Sequence, residues 1–337
     1  MSIVERLAHA REEFMKFEID VPYFRGAHID FDFMREAGRK TKGQQQLIKA
    51  VVGASQGGKS TVARIWARRI PPRPGRHHPV LHVTLLPSAT PRSLGIDIMR
   101  QLGTFAPPME VIEDMARRRG RPRLRNDEKA IGPILLHNAL NALELADIEL
   151  LVLDEVGHLI RSDKATQTRW EVADAIKVLS IKGVCPIVLI GVPEILPVLS
   201  ALNNPQLAGR SLPPFFLNPL DITIRGEALT FMRYIAALDN LLVQHGVFPQ
   251  QSNLNQGDWS ACFYDVARGL PGRVSNLVEQ ATYFAMKAER DFIAKEDLSN
   301  ATRFWAMAHN FADYDPWKHG PRDIKVLKKN MKEIWIR

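Results

Sequence analysis

The sequence predicts an α/β fold: a parallel sheet flanked by helices, followed by a smaller helical domain. Three observations predict it. A glycine-rich string near the amino end lies between a strand-like run and a helix-like run, short apolar runs alternate with helical patterns through the middle, and after Pro219 the pattern turns wholly helical. Alternation of this kind marks a doubly wound sheet that takes its ligand at the carboxyl ends of its strands.

At 337 residues the chain can hold one large α/β domain and a smaller partner, each with its own core. Its apolar content of 45% and charged content of 24% match an ordinary globular protein and exclude a disordered or fibrous one. No apolar run approaches the roughly 18 to 20 residues that cross a bilayer, so no membrane partner is expected. The start, Met1-Ser2-Ile3-Val4-Glu5-Arg6, mixes charges and lacks a hydrophobic signal core, which argues against export. Cys185 precedes a strand-like run and Cys262 falls in a helical pattern. Two such cysteines fit buried reduced thiols in a cytoplasmic protein and give no metal site.

Taken in order, residues 1–43 read as a lead-in, helical patterning broken at Pro22-Tyr23-Phe24, that packs on the α/β domain of residues 44–220. In that domain Leu47 to Val52 reads as a strand, Thr61 to Ala67 as a helix, Val80 to Leu85 as the second strand and Ser93 to Leu102 as a helix. A polar arginine-rich stretch follows. Ile131 to Glu144 is then a helix leading into a strand at Ile148 to Leu153, and Trp170 to Ile181 is a helix leading into a strand at Pro186 to Gly191. Residues 221–310 read as a helical lid, with helices at Glu227 to Gln244, Ser260 to Arg268, Val274 to Arg290 and Lys295 to Ala308. Gly246, Pro249, Gly269, Pro271 and Gly272 punctuate them, and residues 311–337 read as a basic tail.

Residues 53–60, Gly53-Ala54-Ser55-Gln56-Gly57-Gly58-Lys59-Ser60, complete a G-x-x-x-x-G-K-S phosphate loop, with Thr61 continuing into the helix. Its glycines let backbone N–H groups turn inward, so that loop and helix N-terminus cradle a β-phosphate. Lys59 neutralises β/γ oxygens and the Ser60 hydroxyl can ligate Mg²⁺. Later, Leu150-Leu151-Val152-Leu153-Asp154-Glu155 is a buried strand closed by two carboxylates. Alone it reads equally as a strand ending in a solvated acidic turn. Paired with the loop it becomes a metal-side Asp154 and a Glu155 able to polarise water for attack on the γ-phosphorus. The pairing points to ATP and Mg²⁺ as cofactors.

Net charge is +8, unevenly placed. Arg117, Arg118, Arg119, Arg121, Arg123 and Arg125 fall within nine positions, and the final segment carries Lys318, Arg322, Lys325, Lys328, Lys329, Lys332 and Arg337. Clusters like these suit a phosphate backbone, although a solvated loop and a solvated tail helix would show the same composition. His77-His78 and His158 come without a carboxylate or cysteine set and read as loop polarity. Trp305, Trp317 and Trp335, with Phe304, Phe311 and Tyr314, read as packing the tail onto the lid or a partner.

The loop, the Asp-Glu pair, the further strand and the helical lid together resemble the AAA+ ATPases. In detail they look most like the TniB/TnsC family of transposition regulators. The strings are Gly-Ala-Ser-Gln-Gly-Gly-Lys-Ser at 53, Leu-Val-Leu-Asp-Glu-Val-Gly-His-Leu-Ile at 151, Pro-Ile-Val-Leu-Ile-Gly-Val-Pro-Glu at 186 and Asn-Pro-Gln-Leu-Ala-Gly-Arg at 204. The likeness runs from about Pro22 to Ala285. It implies that Arg210 reaches the γ-phosphate bound by a neighbouring protomer, where a guanidinium matches developing phosphoryl charge. It implies that Arg273, in Gly269-Leu270-Pro271-Gly272-Arg273, senses nucleotide in its own subunit. The plainer accounts are a surface arginine after a helix and a helix-start arginine packed on its domain. One departure stands out: the strand ending at Gly191 carries Val192-Pro193 where the family presents a polar residue to hold the attacking water, so hydrolysis is expected to be slow.

The function implied is an ATP-dependent regulator that assembles as a ring or helical filament on double-stranded DNA and recruits or activates a transposase with a target-selection adaptor protein. One alternative within the fold is a replication initiator, helicase loader or clamp-loader subunit; the residues after the lid show no winged-helix pattern, which weighs against an initiator. A second, from another class, is a signalling ATPase that binds only protein partners.

Overall fold

In the computed structural model, residues 2–86, 90–104, 128–159, 165–199, 205–325 and 327 are described. The arginines from Arg117 to Arg125 lie outside the described residues, as does Trp335. Contacts divide the chain into two compact units, one made of Gly26–Val52 and Val62–Phe216, the other of Met1–Arg25, Gly53–Thr61 and Leu217–Arg337.

The first unit is built on a sheet of strands β1 (Ile48–Gly53), β2 (Val80–Thr84), β3 (Leu150–Asp154), β4 (Ile187–Gly191) and β5 (Phe215–Leu217), in the spatial order β2-β3-β4-β1-β5. The pairs β2/β3, β3/β4 and β1/β4 are parallel. Every residue of β1, β3 and β4 is buried, as a sheet covered on both faces requires, which is why these strands read as mainly apolar runs, broken only by Lys49 in β1 and closed by Asp154 in β3. The register sets Thr84 beside Asp154 and Val52 beside Gly191, so the strand ends that carry chemistry are aligned. Helices Pro91–Gln101, Glu128–Leu145 and Ala165–Ile181 contribute Leu94, Ile98, Leu140, Leu143 and Ile176 to one core with Val83, Leu151 and Leu189 of the strands.

The sequence reading gave four strands; β5 is the fifth. Three residues of mixed exposure carry too little periodicity to be seen, and β5 exists because the edge of β1 is open to pairing. The helix after the loop begins at Lys59, two residues earlier than expected, because the loop lysine forms its first turn.

The lead-in divides at Arg25 between the two units. Helix Arg25–Lys40 packs in the sheet unit: Lys49, buried within β1, pairs with Asp30 at 2.6 Å, and Trp66 Nε1 donates to Asp32 at 2.9 Å. Helix Ile3–Phe14 belongs instead to the helical unit. A reciprocal cap starts it, Ser2 Oγ accepting from Glu5 N–H and Glu5 Oε2 from Ser2 N–H. Arg11 pairs with Glu279, and His245 Nδ1 lies 2.7 Å from Glu13.

The helical unit also holds helices Arg225–Gln244, Trp259–Ala267, Pro271–Lys287 and Lys295–Ala301, the last running into a π-helical turn at Thr302–Met307 where the sequence suggested an unbroken helix. The stretch after Phe311, read from sequence as a tail, is built into this unit as far as it is described. Trp317 is buried edge-on to Trp259 and Phe263, with Nε1 donating to Thr302 Oγ1 at 2.9 Å. Arg322 forks onto the buried Asp265 at 2.7 and 3.1 Å. Cys185 and Cys262 are free and buried, and burial pushes both thiols up to about 12.

Candidate nucleotide site

The phosphate loop Gly53–Thr61 is held within the helical unit from two directions. Tyr23 Oη, on the 3₁₀ turn Pro22–Phe24, donates to the Gly57 carbonyl at 3.3 Å. Gly272 N–H, at the start of helix Pro271–Lys287, donates to the Gln56 carbonyl at 2.9 Å. A trans peptide sets its N–H opposite its C=O, so holding these two carbonyls also fixes the direction of the Gly57 and Gly58 N–H groups. Gly57 N–H meets the Ala54 carbonyl at 3.1 Å, and Lys59 Nζ donates to that same carbonyl at 2.8 Å. The lysine is 8% exposed. A glycine loop leading into a helix N-terminus with a buried ammonium has the chemistry that suits a phosphate.

Arg273 lies on the third residue of the helix that holds the loop, and is also 8% exposed. Its Nε is 3.4 Å from Gln56 Oε1, its Nη1 3.5 Å from the Phe311 carbonyl, and its guanidinium sits 4.8 Å from the centre of the Phe311 ring. Burial, and then the like charge of Arg268, push its pKa down to about 10. The sequence marked Arg273 but neither Gln56 nor Phe311 as its neighbours. No local pattern pairs residues so far apart in the chain.

In the sheet unit, Asp154 closes β3 as a buried carboxylate. His82 Nε2 lies 3.0 Å from Asp154 Oδ2, and the Glu155 N–H donates to Asp154 Oδ1 at 2.8 Å. His82 was not singled out in sequence, yet the period-2 alternation of β2 and its register against β3 put it on the same side as Asp154. Glu155 is exposed and stands at φ 58°, a left-handed conformation a glutamate rarely adopts. Such strain persists where the surrounding structure enforces it, and it turns the Glu155 side chain off the line of the strand.

At the tip of β4, a Cβ on Gly191 would meet Ile195 at 2.9 Å. A packed side chain fills the space where a polar residue would stand, which is the physical reason for the departure at Gly191-Val192-Pro193.

Arg210 follows the short helix Pro205–Ala208. Its carbonyl accepts from Ile48 N–H at 3.1 Å and Leu212 N–H donates to Ile48 O at 2.8 Å, fixing it beside the first residue of β1. Val52, at the other end of that strand, is about 13 Å away at some 3.3 Å per residue. The Arg210 Nε is buried without a hydrogen-bond partner among the described residues. His78 bonds locally to Val80, in keeping with loop polarity.

Residues 41–199 match the family described as AAA domain. Solved structures of similar fold include the ORC2 protein of Aeropyrum pernix in ADPNP–ADP complexes, at 14% identity and a TM-score of 0.57, covering 85% of this chain and 68% of that one. Cdc6p of Pyrobaculum aerophilum is similar at 14% identity and 0.52, covering 85% and 68%. The ORC1 protein of Aeropyrum pernix in complex with DNA is similar at 15% and 0.53, covering 86% and 66%. None of the curated proteins matches the chain in sequence. The fold is therefore that of an AAA+ P-loop NTPase.

Proposed function

We propose that this chain, an AAA+ P-loop NTPase in fold, is an ATP-dependent switch that assembles on double-stranded DNA. The observation that carries the reading is the phosphate loop itself, complete in sequence and held by Tyr23 and Gly272 at two of its carbonyls. Gly53 to Thr61 bind the phosphates and Lys59 neutralises them. Ser60 and Asp154 supply a hydroxyl and a carboxylate, the hard oxygen donors that suit Mg²⁺, which when bound would draw charge from the phosphate oxygens. Glu155 orients and polarises the attacking water. Arg210, fixed at the amino end of β1, acts on nucleotide held by a neighbouring copy. Gly191 leaves the water without a second polar anchor, so turnover is slow.

The likeness to ORC and Cdc6 structures favours a replication initiator or loader over the transposition regulator that the sequence strings suggested, and one similar structure holds DNA. The strings at 53, 151, 186 and 204 keep the transposition regulator, with a transposase and an adaptor protein as partners, as the second reading.

Filter binding of duplex DNA with and without ATP, using wild-type protein and Lys59→Ala, tests the proposal. ATP-stimulated binding that the variant loses is the expected result. Wild-type ATP affinity in Lys59→Ala would overturn the nucleotide assignment, and absence of DNA binding under all nucleotide conditions would leave a signalling ATPase with protein partners. A stable complex with a transposase, formed only on DNA and ATP, would favour the second reading over the first.

A further inference from the structure

Gln56 joins the phosphate loop to the lid helix Pro271–Lys287 at two points. Its carbonyl takes the Gly272 N–H at 2.9 Å and its side-chain Oε1 faces Arg273 Nε at 3.4 Å. The approach is tight: a Cβ on Gly272 would fall 2.5 Å from the Gln56 carbonyl oxygen. Gln56 stands at φ 63°, a left-handed conformation that a side chain disfavours, so the loop accepts strain at the residue that makes both contacts.

Arg273 at the other end is a buried cation whose hydrogen-bond and ring partners are neutral. Its partners are the Gln56 amide oxygen, the Phe311 carbonyl and the Phe311 ring, and among the described residues no carboxylate pairs with it. A buried charge without a counter-ion is costly and is relieved by an anion. Burial and Arg268 already disfavour its charged form, which agrees with that shortage. A glutamine is suited to hold such a group: its amide oxygen orients the guanidinium without neutralising it, whereas a glutamate would satisfy the charge and repel phosphate.

We propose that Gln56 is a positioning residue that aims Arg273 at the terminal phosphate of a nucleoside triphosphate bound by the same loop, and so makes affinity for triphosphate over diphosphate depend on the lid helix. This rests on the nucleotide-binding reading above. The backbone of Gln56 remains part of the phosphate loop, and its side chain acts through Arg273.

The test is a double-mutant cycle read with fluorescent ATPγS and ADP on the full chain. Gln56→Ala should weaken ATPγS binding about 5- to 10-fold, the effect of losing one ordinary hydrogen bond, as suits a contact of 3.4 Å, and change ADP binding less than about twofold. Gln56→Asn tolerates the left-handed backbone but is one methylene too short, and should show the same selective loss. In an Arg273→Ala background, Gln56→Ala should have no further effect. Gly272→Ala should reproduce the selective loss by forcing the helix off the loop. Equal weakening of ATPγS and ADP, or the same loss with and without Arg273, would reduce Gln56 to loop structure and overturn the proposal. If wild type binds ATPγS, Lys59→Ala does not, and both Gln56 variants bind like wild type, only the role of Gln56 falls. If wild type binds neither nucleotide, the nucleotide reading falls with it.

Discussion

His82 Nε2 stands 3.0 Å from Asp154 Oδ2, across adjacent parallel strands. An ionised Asp154 can only accept, so the Nε2 position carries the proton and holds the carboxylate in one orientation. Partners of this kind typically alter metal affinity by about 10- to 100-fold. His82→Ala should therefore raise the Mg²⁺ needed for half-maximal hydrolysis by about 10-fold while leaving Mg²⁺-free nucleotide binding unchanged. A titration of ATPase rate against Mg²⁺ decides it.

Glu155→Gln should retain ATP and lower turnover by about 100-fold or more, the usual share of a positioned base. Asp154 and Ser60 are untouched, so metal and nucleotide stay. Single-turnover hydrolysis with bound ATP quantified in parallel checks both halves; unchanged turnover would assign the base to another residue.

Arg210→Ala should bind ATP as a monomer like wild type and hydrolyse it more slowly, because the role proposed for this arginine, on nucleotide held by a neighbouring copy, operates only across a subunit boundary. Mixing it with Lys59→Ala protein should restore part of the activity, since one copy then supplies the loop and the other the arginine. No restoration, together with lost ATP binding in Arg210→Ala, would place the residue in its own subunit's site.

For the arginines between 117 and 125, contacts are expected to phosphates more than to bases. Replacing Arg117, Arg119 and Arg121 with alanine should weaken duplex binding for all sequences, reduce the salt slope by about one unit per lost contact, and spare ATP binding. Binding isotherms at several salt concentrations measure the slope. An unaltered slope moves the DNA path elsewhere, with the basic residues from Lys318 onward next in line.

The contact of the N-terminal helix with the lid should fail in acid. Lys16, and then His245, hold the Glu13 carboxyl near 2, below its ordinary 4.5. A depressed carboxylate stabilises fully above the unfolded value, and the contribution is lost as pH falls from 4.5 towards 2. Hydrogen exchange of residues 3–14 should therefore accelerate in that window before exchange in Arg225–Gln244 does, and Glu13→Gln should reduce the pH dependence, the Arg11–Glu279 pair keeping the rest.

The sheet strands and the phosphate loop were legible because their signals are local. Full burial makes β1, β3 and β4 mainly apolar runs, and the loop's chemistry needs fixed residue types at fixed spacing. Strand β5 was not legible: three residues hold no period, and its pairing depends on an edge that other strands create. The boundary at Arg25 was missed because helices Ile3–Phe14 and Arg25–Lys40 have similar amphipathic patterns, while their partners, Glu279 and His245 for one and Lys49 and Trp66 for the other, lie far along the chain.

Sequence by itself determined the α/β class, the phosphate loop from Gly53 to Thr61, the carboxylates at Asp154 and Glu155, and Arg273 as a residue of interest. Each follows from neighbouring residues, whose spacing backbone geometry fixes. Only the tertiary structure decided that His82 holds Asp154, that Tyr23 and Gly272 hold two of the loop's carbonyls, and that Gln56 meets Arg273. Those pairings join segments tens to hundreds of residues apart, and what brings them together is burial of the two cores, a many-body packing energy that no short string of residues encodes.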